Sequence, residues 1–386
     1  MSMKYLLILA IVLTESIGFD LNLQTNTLFK FEGEFKTGEP MGIPIHVSSF
    51  SDGSFVLYEH DIQGLKVFDK SGNLIDTLSR RGRGPGELIE IDHIFVDNND
   101  QLLVVDHVQV KLSLLNRNQK PNDHFIFESR PRVRSIHQKT DGSYILASKK
   151  YWGPDMLNNR KLYHFMSNNF QLSDDGIIES GDLSKEGPGS LSDIVMSGST
   201  RLTDNSVLTI NDDLVVAPML YNGEILVFEN ETNYVTNNTI QTSDYGPAYE
   251  EYPDSKPLDY ELIESEGINM VSNQKGRKSF YHFNKSLGLF RLNSGEIIHF
   301  VQIQKDNRAA LMVEFLDREA NDVLRVQELE KLGELYIEEN IKKGPKHGYI
   351  ELNFHHVDKN NRLYVSRFGD NHQPELHVIQ LDITTD

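Results

Sequence analysis

Short apolar runs recur along this chain, each entered through a polar turn. They are Phe55–Tyr58, Leu102–Val105, Tyr144–Ala147, Val207–Ile210, Ile297–Phe300 and Leu363–Ser366. The turns before them read SDGS, DNNDQ, TDGS, TDNS, NSGE and KNNR. Gly, Asn and Asp tolerate the positive φ of a tight turn, so these are hairpin signals. The stretch Arg80–Asp106 shows the unit most fully. It holds a glycine- and proline-broken loop, a strand over Ile89–Val96, a polar turn at Asp97–Asp100 and a second apolar run ending on Asp106. From Ile43 to Leu78 the pattern predicts four strands joined by short turns, and alternation over Thr27–Phe35 predicts one more.

The runs start 47, 42, 63, 90 and 66 residues apart. A propeller blade takes roughly 40–50 residues, so the wider gaps imply insertions. Six units predict an all-β fold: a six-bladed β-propeller of four-stranded blades over residues 19–386. One blade cannot bury both its faces alone, whereas a ring buries each against its neighbours. The last unit, Tyr349–Val357, Leu363–Arg367 and Glu375–Leu381, lacks an outer strand, which Thr27–Phe35 is expected to supply. An open β-sandwich or two smaller β domains are the alternatives. Two segments break the rhythm. Residues 241–278 are acidic and rich in Tyr and Pro, and are expected to form an insertion between the fourth and fifth blades. Val326–Lys343 predicts a short amphipathic helix with Leu329, Leu332, Leu335 and Tyr336 on one face.

Composition narrows the function classes. The chain has 386 residues and a formal net charge of −19, which repels nucleic acid and anionic membrane surfaces. It has no cysteine, hence no disulfide framework and no thiol chemistry. Residues 1–18 carry one early lysine, an apolar run at Tyr5–Leu13 and small residues near Gly18. That is the pattern of a signal peptide, too short to span a bilayer comfortably. Export to a periplasm or beyond is expected, as a monomer with no membrane span and no nucleic-acid partner.

The GRGPGE at Gly82–Glu87, followed by IEIDHIFVDNNDQLLVVD, resembles a group of exported bacterial six-bladed β-propellers related to NHL-repeat propellers. The likeness is sharpest over Arg83–Asp106. GPG returns at Gly187–Gly189, with weaker echoes at Gly246 and Gly344. Leu88 stands where such proteins often carry an aromatic residue, and the lipid-anchor cysteine of many of them is missing here. The resemblance implies the fold and an exported location. It implies no single activity, because propellers host binders, lyases and lactonases.

On such a ring, the loops between second and third strands share one face with the loops linking consecutive blades. The residues ending the second-strand runs are Glu59, Asp106, Ser148, Asn211, Val301 and Arg367. His60, His107, Lys149, Asp212, Gln302 and Phe368 follow them. Closure is expected to gather Glu59, His60, Asp106, His107, Asn211 and Arg367 at the channel mouth as a ligand-binding set. Two arginine trios flank the second blade: Arg80, Arg81 and Arg83, and Arg130, Arg132 and Arg134. Arg83, Arg132 and Arg134 suit a carboxylate or phosphate, or else pair with acids such as Glu87 and Glu128. His355 and His356 are strand neighbours and point to opposite faces, so they are not expected to share an ion. No G-x-S-x-G, H-E-x-x-H or phosphate-loop motif occurs. The expectation is a non-catalytic propeller, without a cofactor, that binds a small molecule, a carbohydrate or a protein. The alternative is a metal-dependent hydrolase of the lactonase or lyase type. It would hold Ca²⁺ or another divalent cation on Glu59, Asp106 and Asn211.

Overall fold

The apolar runs lack the polar alternation of a half-exposed strand because both faces of every blade are covered. The computed structural model describes residues 21–59, 64–79, 82–84, 87–116, 123–127, 133–148, 161–179, 207–217, 221–230, 237–245, 249–251, 269–272, 279–282, 284–305, 308–330, 332, 352–369 and 373–385. The first strand is β1 (Leu21–Glu32). Blade 1 is β2 (Pro44–Ser49), β3 (Phe55–Glu59), β4 (Leu65–Phe68) and β5 (Leu74–Thr77). Blade 2 is β6 (Ile91–Val96), β7 (Gln101–Asp106), β8 (Lys111–Asn116) and β9 (Asp123–Ile126). Blade 3 is β10 (Val133–Gln138), β11 (Tyr144–Ser148), β12 (Lys161–Met166) and β13 (Leu172–Glu179). Blade 4 is β14 (Val207–Ile210), β15 (Asp213–Val216), β16 (Glu224–Phe228) and β17 (Asn237–Gln241). A small sheet of β18 (Tyr249–Glu251), β19 (Asn269–Ser272) and β20 (Ser279–His282) follows. Blade 5 is β21 (Lys285–Arg291), β22 (Ile297–Lys305), β23 (Arg308–Leu316) and β24 (Val323–Glu328). Blade 6 is β25 (Asn353–Val357), β26 (Arg362–Phe368) and β27 (Pro374–Thr385), completed by β1.

Each blade is an antiparallel meander, and the first strands of successive blades touch in ring order, with β25 returning to β2. Among the described residues the buried apolar side chains sort into six clusters, one at each blade junction. Neighbours along a strand serve opposite junctions. In β3, Phe55 and Leu57 pack toward blade 6 while Val56 packs toward blade 2. In β7, Leu102 and Val104 pack toward blade 1, and Leu103 and Val105 toward blade 3. A period of two on a sheet with two covered faces therefore reads as unbroken hydrophobicity.

Closure comes from β1, which pairs antiparallel with β27 from Leu21↔Thr385 to Glu32↔Glu375. Leu23 of β1 joins the cluster between blades 5 and 6, and Phe31 joins that between blades 6 and 1. Blade 5 grips the same strand. The Leu23 N–H donates to Gln327 Oε1 at 2.9 Å, and Gln327 Nε2 donates to the Leu23 carbonyl at 3.1 Å. That side-chain amide occupies a stretch of the otherwise open strand edge.

The turns joining first and second strands form a belt on the face opposite the channel mouth. Asp100 accepts from the Ser51 N–H of blade 1 at 2.6 Å, and Gln138 Oε1 accepts from the Asn98 N–H of blade 2 at 2.9 Å. Asp212 accepts from the Thr140 N–H of blade 3 at 2.8 Å, and Asn361 accepts from the Asn293 N–H of blade 5 at 2.7 Å. Asp100, Asp212 and Asn361 all have positive φ, at 60°, 70° and 57°. That left-handed corner swings each Asx side chain toward the preceding blade. Between blades 6 and 1, Arg362 is paired with Asp358 at 2.6 Å and donates to the Lys70 carbonyl at 2.9 Å and to the Gly53 carbonyl.

Two sequence expectations are corrected. Val207–Ile210 is the first strand of its blade, not the second. The Asn211-Asp212 pair after it, with φ of 49° and 70°, makes a two-residue hairpin into β15. Val326–Glu328, the start of the expected helix, belongs to β24, whereas Glu330 and Leu332 just beyond it are helical, as expected. Leu329 and Leu332 are buried between blades 5 and 6, while Leu335 and Tyr336 lie outside the described residues. The expected leader, residues 1–18, also lies outside them. Among the described residues no helix is long and apolar enough to cross a membrane.

Replacing Arg362 with alanine strands the buried Asp358 carboxylate. We expect a loss of about 3–5 kcal/mol, read as a lower urea midpoint. A loss under about 1 kcal/mol would show that the belt does not hold blade 6 to blade 1.

Candidate functional site

Glu59, Asp106 and Ser148 occupy one register in the first three blades, opposite Pro44, Ile91 and Val133 at the starts of the inner strands. Sharing a register on neighbouring blades puts them on one face around the axis. What two of the side chains do there is mainly to organise loops. Asp106 is fully buried. It accepts from the backbone N–H of Ile89 at 2.6 Å, Val108 at 3.0 Å and Gln109 at 2.8 Å, and from the Gln109 amide at 2.8 Å. The same amide donates to the Gly82 and Glu87 carbonyls, and Lys111 Nζ donates to the Glu87 carbonyl at 2.8 Å. Burial pushes the Lys111 ammonium pKa down, opposed by the charges of Asp106 and Glu87.

The glycine motif has a local cause. Glu87 folds back and accepts the Gly84 N–H at 2.7 Å. A Cβ on Gly82 would lie 2.0 Å from the Glu87 carboxylate, so a larger residue there would push that side chain off the Gly84 N–H.

Blade 1 repeats the theme. Glu59, fully buried, accepts the Gly42 N–H at 2.9 Å and lies 3.2 Å from Lys66 Nζ, which stands 4.1 Å over the Phe35 ring. Burial pushes the Glu59 carboxyl up, against the pull of Lys66 and the Gly42 N–H. In blade 6, Arg367 Nε donates to Glu375 at 2.6 Å, and His377 Nε2 lies 2.7 Å from the same oxygen. Burial pushes the Glu375 carboxyl up, but the bonds and charges of Arg367 and His377 outweigh it and hold it below the usual range.

The inner strands are polar where packing alone would make them apolar. They bury His46, Ser48, Asp92, His93, Ser135, Lys285, Ser286 and His355. Among the described residues, five inner strands also carry a bulge near their start, at Pro44/His46, Ile91/His93, Val133/Ser135, Ser286/Gly288 and Phe354/His356. A bulge re-aims side chains and is frequent beside binding sites. At the corner of blades 1 and 2 the His46 and His93 rings meet edge to face at 4.9 Å. His107 follows, with Nε2 3.4 Å from Glu90 and Nδ1 3.5 Å from Asp92. The Glu90 side chain is 61% exposed, the open member of this group.

The remaining expected residues are placed differently. Asn211 lies in the first hairpin turn of blade 4, on the belt face, because β14 precedes it rather than β15. Val216 holds the register that Asp106 holds in blade 2. Val301 is interior to the longer β22. The trio Glu59, Asp106 and Asn211 is thus not brought together, and among the described residues no three His, Cys, Asp or Glu side chains are placed to hold a metal ion. Arg83 is exposed in the loop between blades 1 and 2, and Arg134 sits at the β10 bulge. His60, Arg80, Arg81, Arg130 and Arg132 lie outside the described residues. His355 bonds Ser366 at 2.6 Å whereas His356 bonds Ser49 at 2.8 Å, so the two rings serve different partners. Sequence reasoning missed Asp92, His46, His93 and Glu90. Their signal was a polar residue inside an inner-strand run.

Asp106→Ala leaves several backbone donors unanswered. It is expected to cost about 2–4 kcal/mol in urea unfolding, with Asp106→Asn costing less; a neutral alanine variant would refute the loop-organising role. Arg367→Met tests the blade 6 pair. A carboxyl with a depressed folded pKa contributes stability above its unfolded value, 4.5, and loses it as pH falls through the folded one. Without the guanidinium, acid unfolding should begin at higher pH than in the wild type, and unchanged acid midpoints would contradict this.

Comparisons with known proteins bear on the fold. A protein of Bacteroides fragilis NCTC 9343 described as exported superposes with a TM-score of 0.50 at 13% identity, covering 95% of this chain and 98% of its own. A protein of unknown function from Bacteroides thetaiotaomicron VPI-5482 gives 0.49 at 6% identity, covering 94% of this chain and 77% of its own. A streptogramin B lyase gives 0.45 at 10%, covering 95% and 100%. At 13% identity the first of these likenesses speaks to fold and not to activity. No curated protein matches the chain. Residues 39–116, which span blade 1 and the first three strands of blade 2, match the family model described as 6-bladed beta-propeller, and the complete ring around them makes this chain a six-bladed β-propeller.

Proposed function

We propose that this propeller is an exported, non-catalytic binding module that takes a polar ligand at its channel mouth, on the corner of blades 1 and 2. The observation that carries this reading is the polar inner wall. Burying imidazole, carboxylate and hydroxyl groups costs free energy wherever they are imperfectly paired, and apolar inner strands would serve a purely structural ring better. Glu90, Asp92, His93 and His107 present two carboxylates and two imidazoles beside the axis, with Glu90 open to solvent. Such a set suits the hydroxyls of a carbohydrate or the amides and amines of a peptide. Export is supported by the leader-like residues 1–18.

The test is a thermal-shift screen of residues 19–386 against oligosaccharides, short peptides and small carboxylates. At least one class is expected to raise the midpoint with concentration. Glu90→Ala is expected to weaken that response about tenfold or more while leaving the unliganded midpoint within a few degrees. A flat response to the whole panel at millimolar concentration, or equal affinity in the variant, would sink the reading.

A further inference from the structure

Blade 5 carries a buried polar relay. Ser286 on β21, His299 on β22 and Glu314 on β23 lie on three adjacent strands and are all fully buried. Ser286 Oγ is 2.8 Å from His299 Nε2, and His299 Nδ1 is 2.8 Å from Glu314 Oε2. The order serine, histidine, carboxylate is that of a hydrolytic triad. Two features set it apart. The serine is sealed from solvent, and the carboxylate has further donors. Tyr221 donates to Glu314 Oε2 at 2.7 Å, and Tyr245 donates to Oε1 at 2.9 Å.

Those tyrosines come from other parts of the chain. Tyr221 lies between β15 and β16 of blade 4, and Tyr245 lies just beyond β17, where the excursion bearing the small sheet begins. The Thr242 hydroxyl sits 2.5 Å from that of Tyr221, and the Thr242 N–H donates to the Gly223 carbonyl at 2.7 Å. Asn284, where the excursion rejoins the ring, donates from Nδ2 to the Tyr245 carbonyl at 3.1 Å and accepts the Tyr221 N–H at 3.2 Å. The His299 ring meets Tyr221 edge to face at 4.6 Å. The entry of the excursion and the middle loop of blade 4 therefore converge on one carboxylate, and the exit is tied to the backbone of the two tyrosines that reach it.

We propose that Glu314 is a positioning residue that clamps both ends of the 242–284 excursion to the blade 4 loop and fixes them, as one unit, on the rim of the channel mouth. An ionised carboxylate is acceptor-only, so it can take donors from His299, Tyr221 and Tyr245 together. An amide in its place turns a donor against donors. Burial pushes the Glu314 carboxyl up, but the bond and charge of His299, with the Tyr221 hydroxyl, outweigh it and hold it below the usual range. The clamp stands whether or not the mouth holds a ligand.

Limited chymotrypsin digestion of residues 19–386, with hydrogen exchange read by mass spectrometry, tests it. Tyr245→Phe is expected to raise the cleavage rate between residues 246 and 283 about tenfold and to speed exchange at Thr242–Tyr245, with the urea midpoint little changed. Glu314→Gln is expected to do more, and the double variant no more than Glu314→Gln alone, because both changes break one network. Tyr245→Phe keeps the test open where Glu314→Gln fails to fold. Unchanged cleavage and exchange in Tyr245→Phe would overturn the proposal. So would fluorophosphonate labelling of Ser286 in the folded wild type, which would make Glu314 part of a reachable catalytic relay.

Discussion

The ring depends on the pairing of β1 with β27. Without it blade 6 is three strands ending in a free edge, and two junctions lose apolar residues at once. Leu23 leaves the cluster between blades 5 and 6, and Phe31 leaves that between blades 6 and 1. The strand is thus both a hydrogen-bonded edge and a double hydrophobic wedge. Its position is fixed a second time by Gln327, whose amide bonds the Leu23 backbone from blade 5. A blade buries its apolar faces only against neighbours, so each junction relies on the others.

The two ends of the ring use different chemistry. On the belt face, short turns grip one another through Asx side chains at positive φ and through Arg362. On the mouth face the connections vary in length, and buried carboxylates gather them. Glu59 holds the Gly42 loop and Lys66, Asp106 holds the loops around Ile89 and Gln109, and Glu375 holds Arg367 and His377. Glu314 does the same for Tyr221 and Tyr245. An acceptor-only group collects donors from several segments without demanding one backbone geometry, which suits loops of unequal length. The acids that look like ligand-binding groups are in large part what shapes the mouth.

Much of the architecture was legible from local pattern. Runs such as FVLY and LLVV marked strands covered on both faces, and DG- or Asn-rich turns marked the hairpins. The acidic stretch after Gln241 marked a departure from the repeat, and the early alternating segment supplied the closing strand. Each of these signals lies within about ten residues of chain, where turn chemistry and strand period act. The same locality explains the error at Val207–Ile210. TDNS before the run resembled the usual first turn, whereas Asn211-Asp212 after it was the turn that formed.

The site was legible only as a list of polar strand ends. Asp106 announced itself as an acid in a repeated position, yet its donors on Gln109 and Ile89 follow from how two loops fold over it. Glu314 is a lone acid in an apolar run with His299 opposite it on the neighbouring strand, but its partners Tyr221 and Tyr245 arrive only once blades 4 and 5 face each other. Strand identity is set by neighbours along the chain, and so the sequence alone determined the blades and their closure. What a buried polar side chain does is set by whichever donors the closed ring brings within 3 Å, and that only the tertiary structure decided.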